Sequence, residues 1–210
     1  MRWEEVPGIL IAEAEDDLRA TGEVAPGFAA FAGEEALLVA FLRPFEPGEH
    51  LDALVEVAAL AVPLGADRLA LTVAGRAWRL DEPAPQRVPG AGDPRERVLA
   101  FHAVDASEAL TTRAETRGWR FELADEAVTW GAQLPGEAEG PVVDALTALA
   151  EETFEADIEQ LRRQVARCLD LGHELVLAPE GQRRLGLADP VALSSARGLH
   201  PVTPPWACTE

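Results

Sequence analysis

Apolar and polar positions alternate along this chain with two periods, and the changes of period divide it into elements. In residues 8–22, "GILIAEAEDDLRATG", Ile9, Leu10 and Leu18 share a helical face opposite a row of carboxylates, and Gly22 stands where such a helix stops. Residues 37–42, "LLVAFL", are apolar at every position, as in a strand covered on both sides, and Pro44 and Pro47 close the run. In residues 49–64, Leu51, Leu54, Val55, Ala58, Ala59 and Val62 recur at three- and four-residue steps, which predicts a helix ending at Pro63 and Gly65.

The next stretch, "GADRLALTVAGRAWRL", sets Leu69, Leu71 and Val73 on one face and the smaller Ala70, Thr72 and Ala74 on the other. That alternation predicts a buried strand with a helix packed close against the small face, interrupted at Gly75. Strand, helix and strand together read as a βαβ unit, whose two strands run parallel through a right-handed crossover.

After a turn rich in proline and glycine over 81–96, residues 97–104, "RVLAFHAV", form a further strand apolar on both faces. The polar segment 105–118 offers few apolar anchors and reads as an excursion from the sheet. Beyond it, Trp119, Phe121 and Leu123 point inward against Arg120 and Glu122, with a further short strand ending at Trp130. Two helices follow, over 140–152 and 153–172; in the second, Phe154, Ile158, Leu161, Val165 and Cys168 recur at steps of four, three, four and three. Residues 173–179 read as a last short strand.

The expectation is an α/β fold, with a mixed sheet of about five strands, a βαβ start, an antiparallel edge and helices packed on its faces. Residues 1–178 form a single domain and 179–210 an extended tail.

At 210 residues with 48 % hydrophobic and 26 % charged positions, the chain belongs among ordinary globular proteins. No apolar run reaches the roughly 18 residues that a membrane helix needs, and the start "MRWEEVPGIL" is acidic where a secretory signal is basic, so a cytoplasmic protein is expected. All 18 basic residues are arginine, and lysine, asparagine and tyrosine are absent, a composition suited to a GC-rich bacterial genome. The net charge of −19 repels phosphate backbones and anionic lipid, which argues against nucleic-acid and membrane partners.

Chemistry is limited by what the chain lacks. Cys168 and Cys208 lie far apart without metal spacing, and Cys168 falls on the apolar helical seam. His50, His102, His173 and His200 each stand alone, with no HxH or HExxH pattern, so no metal and no cofactor is expected. Without lysine there is no Walker loop, and no GxGxxG or GxSxG occurs.

Two candidate groups remain. His102 with Asp105, "HAVD", lies at a strand end, where an imidazole oriented by a carboxylate can act as an acid/base pair. Arg76, Trp78 and Arg79 lie where a strand leaves its cover and either line a ligand pocket there or close the core with solvated arginines. These support two readings. The first is a non-enzymatic binding or assembly module acting as a homo-oligomer, with a homodimer formed through the helical seam of 155–171. The second is a small hydrolase or transferase in which His102 and Asp105 move protons and Arg76 holds an anionic group.

Overall fold

The computed structural model describes residues 1–45, 49–77, 95–108, 110–124, 127–136, 138–187 and 192–193. A 3-10 turn, Trp3–Glu5, leads into α1, Val6–Thr21. There follow β1 Gly27–Ala32, β2 Glu35–Phe41, α2 His50–Ala61, β3 Arg68–Arg76, β4 Arg97–Glu108, β5 Thr111–Ala124 and β6 Ala127–Pro135. The chain continues through α3 Pro141–Glu151, α4 Ile158–Leu171, β7 Glu174–Leu177, α5 Pro179–Arg184 and the two-residue β8, Ala192–Leu193. Among the described residues the strands form one sheet in the order β6-β5-β4-β3-β1-β2-β7-β8, and every pairing is antiparallel.

The α/β class is as the sequence predicts, but the sheet is neither five-stranded nor mixed. The difference begins at β1, "GFAAFA", which pairs with β2 on one side and β3 on the other. Both neighbours run antiparallel to it, so β2 and β3 point the same way without touching. The expected βαβ unit is therefore split by an inserted strand. Little in β1 advertises a strand, because it holds no β-branched residue and its alanines prefer helix, leaving only Phe28 and Phe31 to favour one. Burial on both faces holds it in the sheet, with Phe28, Ala29, Ala30 and Phe31 all fully enclosed. The second difference is the segment 105–118, which is a hairpin and not an excursion: β4 runs on to Glu108, and β5 returns with Asp105 opposite Arg113 and Val104 opposite Ala114.

Helices cover both faces unequally. Among the described residues α1 is the one α-helix on one face, burying Val6, Leu10, Ala14 and Leu18 at four-residue steps, and Gly22 caps it in the left-handed conformation at φ 77°. The small face of β3 is indeed the one that a helix approaches closely, with Ala70 packed among Val6, Leu10 and Phe31. At Gly27 a Cβ would stand 3.0 Å from both Leu10 Cδ2 and Thr72 Oγ1, so α1 packs closely there and an alanine would require these side chains to shift by a few tenths of an ångström. The buried Thr72 hydroxyl accepts from Gly27 N–H at 3.2 Å and donates to Gly27 O at 3.3 Å, which leaves it fully bonded.

The larger core lies on the opposite face, under α2, α3, α4 and α5. α2 buries Ala53, Leu54, Val57, Leu60 and Ala61, while Val55, expected inside, is half exposed. α4 starts at a capping box between Asp157 and Gln160, later than the sequence suggests. Its seam docks on its own domain. Leu161, Val165 and Cys168 are buried in the larger core, whereas Ile158 is 46 % exposed and Phe154, ahead of the helix, 59 %. The buried part of the seam is thus not free for a second subunit.

Packed structure continues past residue 178, where the tail was expected to begin. In α5 a Cβ on Gly181 would fall 2.1 Å from Leu37 O, and Gln182 Nε2 donates to Leu177 O at 2.7 Å. Residues 194–210 of the expected tail lie outside the described residues. Among the described residues no helix is long and apolar enough to cross a membrane.

Candidate binding groove

The structure does not bring the expected acid/base group together. His102 and Asp105 lie three positions apart on β4, so their side chains project from opposite faces of the sheet. His102 Nδ1 is 3.1 Å from Thr116 Oγ1, and burial, helped by nearby His50, holds the imidazole below its ordinary pKa. Asp105 is occupied elsewhere: Oδ1 accepts Ser107 N–H at 3.0 Å and the Ser107 hydroxyl at 2.6 Å, and Oδ2 lies 3.1 Å from Arg68 Nε. Burial pushes this carboxyl up, but the bonds from Ser107 and Arg68 outweigh it and leave the pKa lowered.

Arg76 is at the other end of β3, opposite Arg97, while Asp105 is opposite Arg68. Eight strand positions separate the two sites, roughly 26 Å at the rise of a β-strand. The Arg76 guanidinium donates to Arg95 O at 2.8 Å. Trp78 and Arg79 lie outside the described residues, as do Cys208 and His200.

Two clefts open at opposite ends of the sheet. The first, about 630 Å³, lies where α1, the end of β2 and the start of β7 meet, and its walls include Glu13, Asp17, Arg43 and Glu174. Burial raises the pKa of both Glu13 and Asp17, although Asp17 Oδ2 accepts Ala25 N–H at 2.9 Å. Arg43 joins this cleft to a polar cluster that the sequence does not reveal. Its Nε and Nη2 grip the two Glu56 oxygens at 2.7 and 2.9 Å, and its backbone N–H donates to His173 Nδ1 at 3.1 Å.

Because His173 Nδ1 is an acceptor, the ring proton sits on Nε2 and is donated to Glu56 Oε2 at 2.8 Å. His173 has no exposed surface, and burial lowers its pKa despite the neighbouring carboxylate. Cys168 Sγ lies 3.5 Å from Glu56 O, and burial pushes its thiol up to about 11, so it is no nucleophile. The cluster ties the end of β2, α2 and the start of β7 together and is closed to solvent at the imidazole.

The second cleft is a groove of about 670 Å³ at the opposite end. Its walls are the turn after α2, the tip of the β4–β5 hairpin, and the segment 152–155 that follows α3. Leu110 stands at the hairpin tip with φ 72° and its side chain fully exposed. Both features cost stability. The left-handed conformation costs a residue with a Cβ about 1–2 kcal/mol, and turn positions of this kind favour Gly, Asn or Asp. Phe154 brings a second exposed apolar side chain to the same groove.

The described residues lining the groove include five carboxylates and no cationic side chain. Asp67 accepts Gly33 N–H at 2.8 Å, Glu108 pairs with Arg113 at 2.8 Å, and Glu151 accepts the Thr112 hydroxyl at 2.5 Å. The carboxylates of Glu152 and Glu155, on either side of Phe154, have no hydrogen-bond or ion-pair partner among the described residues. Among the described residues no group of His, Cys, Asp or Glu is arranged to hold a metal ion. The groove escapes a reading of the sequence because "SEALTT" carries no hairpin dipeptide and "EETFE" looks like the start of the following helix. No protein-family model, curated protein or solved structure matches this chain.

Proposed function

We propose that this chain is a non-catalytic cytoplasmic binding or assembly module, working as a homo-oligomer, whose recognition surface is the groove between Leu110 and Phe154. The observation that carries the reading is Leu110: a leucine in a left-handed turn, its side chain wholly in water, adds nothing to the fold and lies over a groove with another exposed apolar residue. The groove volume falls within the roughly 300–1,000 Å³ usual for ligand sites. The separation of His102, Asp105 and Arg76 supports binding over hydrolysis or group transfer, since acid/base work needs its groups within hydrogen-bond reach of one reacting centre.

Self-association falls to surface outside the buried seam, where Ile158 and Leu171 of α4 remain partly exposed. Native mass spectrometry of the full chain tests this part, with a dimer expected and a folded monomer at micromolar concentration contradicting it. Hydrolysis of a generic ester or phosphoester panel, abolished by His102→Ala in a chain that stays folded, would overturn the non-catalytic reading.

A further inference from the structure

Given that reading of the groove, we infer that its occupant is a cationic amphipathic segment of a partner protein, a stretch in which arginine or lysine flanks one or two apolar side chains. The groove specifies both halves of that description. Leu110 and Phe154 offer apolar surface that only an apolar side chain covers with gain. Around it stand Glu108, Glu151, Glu152 and Glu155, with no cationic residue among the described lining residues.

Glu152 and Glu155 flank Phe154 in sequence and carry no internal pairing, so a guanidinium laid on the ring face meets both the ring quadrupole and a free carboxylate. An anionic peptide, a nucleic acid or an anionic lipid surface meets the same carboxylates as repulsion, added to a net charge of −19. A second copy of the chain brings that same charge and is the weaker candidate for this groove.

The field of so acidic a chain attracts any cation, so the test must separate the groove from diffuse attraction. Three fluorescent peptides of equal length serve as probes: one of leucine and arginine, one of leucine and glutamate, and one of serine and arginine. Binding is followed by anisotropy with the full chain and three double variants, each checked for unchanged circular dichroism. The leucine/arginine peptide is expected to bind most tightly. Its affinity should fall about tenfold or more in Leu110→Gly/Phe154→Ser and in Glu152→Gln/Glu155→Gln, and stay within about twofold in Glu23→Gln/Glu122→Gln, which removes the same charge at distant exposed positions.

Equal loss in the two charge variants, Glu152→Gln/Glu155→Gln and Glu23→Gln/Glu122→Gln, means diffuse attraction and overturns the inference. Tight binding of the leucine/glutamate peptide, lost in Leu110→Gly/Phe154→Ser, overturns the cationic class while leaving the groove as a recognition surface. Self-association abolished by the same variant assigns the groove to a second copy and likewise overturns it. If no peptide binds, or none responds to Leu110→Gly/Phe154→Ser, the inference and the groove reading fall together.

Discussion

The two clefts at the ends of the sheet are nearly equal in volume and both are walled by carboxylates, yet their side chains do different work. On the wall of the first, Arg43 is held by Glu56 and His173 of the cluster behind it, and Asp17 holds the backbone that enters β1. In the groove, two glutamates lack partners among the described residues, and two large apolar side chains stand in water. Acidic surface alone therefore marks neither cleft as a site. Unpaired carboxylates do not separate them either, since the Glu13 and Glu174 side chains of the first cleft also lack a hydrogen bond or ion pair among the described residues; the distinction lies in whether the large apolar side chains are already covered. By that measure the first cleft serves folding and the groove does not.

The largest effect should come from the cluster behind the first cleft. Glu56→Ala strips Arg43 and the enclosed His173 Nε2–H of their acceptor and should lower unfolding free energy in urea by about 2–3 kcal/mol, the partial exposure of Arg43 and Glu56 keeping it below the full cost of a broken buried pair. The same change should leave leucine/arginine peptide binding as it was; a parallel loss would join the two clefts energetically and break the contrast.

Acidification should act on that cluster next. A histidine whose folded pKa lies below its unfolded value binds its proton more readily when unfolded, so its contribution to stability is complete above pH 6.5 and is lost as pH falls toward the folded pKa. The slope is at most about 1.4 kcal/mol per pH unit for one proton. Glu13 and Asp17 have raised pKa values and act in the opposite sense, since the cost of their buried charge is relieved as pH falls through their folded values. His173→Gln should flatten the loss just below pH 6.5; an unchanged profile would assign it to other groups, His102 among them.

The groove should respond with smaller effects, one of opposite sign. Leu110→Gly relieves about 1–2 kcal/mol of left-handed strain and gives back about 0.5–1 in chain entropy, so a net gain of roughly 0.5–1 kcal/mol is expected in urea unfolding. Phe154→Ser should change stability by less than about 0.5 kcal/mol, as at an exposed position without partners.

Local pattern revealed those parts of the fold that local pattern determines. The stripe of α1, the two-sided run of β2, the apolar run of β3 and the Leu161, Val165 and Cys168 part of the α4 seam each lie in a short stretch whose pattern matches its burial. Strand β1 escaped because its alanines and glycine carry no strand signal and its two phenylalanines alone are too weak a one, and its place is set by neighbours whose pairing no local window contains. The hairpin of β4 and β5 escaped because its polar strands project past the core, so polarity did not mean loop.

Of the candidate site residues, His102 and Asp105 were adjacent in sequence and separated by the strand's own alternation. The Arg43, Glu56 and His173 cluster was distant in sequence and joined by the fold. The groove is legible only once backbone angle and exposure are known, since nothing in the residue Leu110 declares a left-handed turn.

The central claim is that Leu110 and Phe154 are not there to hold the fold. The urea midpoint of the Leu110→Gly/Phe154→Ser double variant, measured at unchanged slope against the parent chain, tests it most directly. The account predicts a midpoint equal to the parent's or higher. A fall equivalent to about 2 kcal/mol or more would place both residues in the fold's own packing and contradict it.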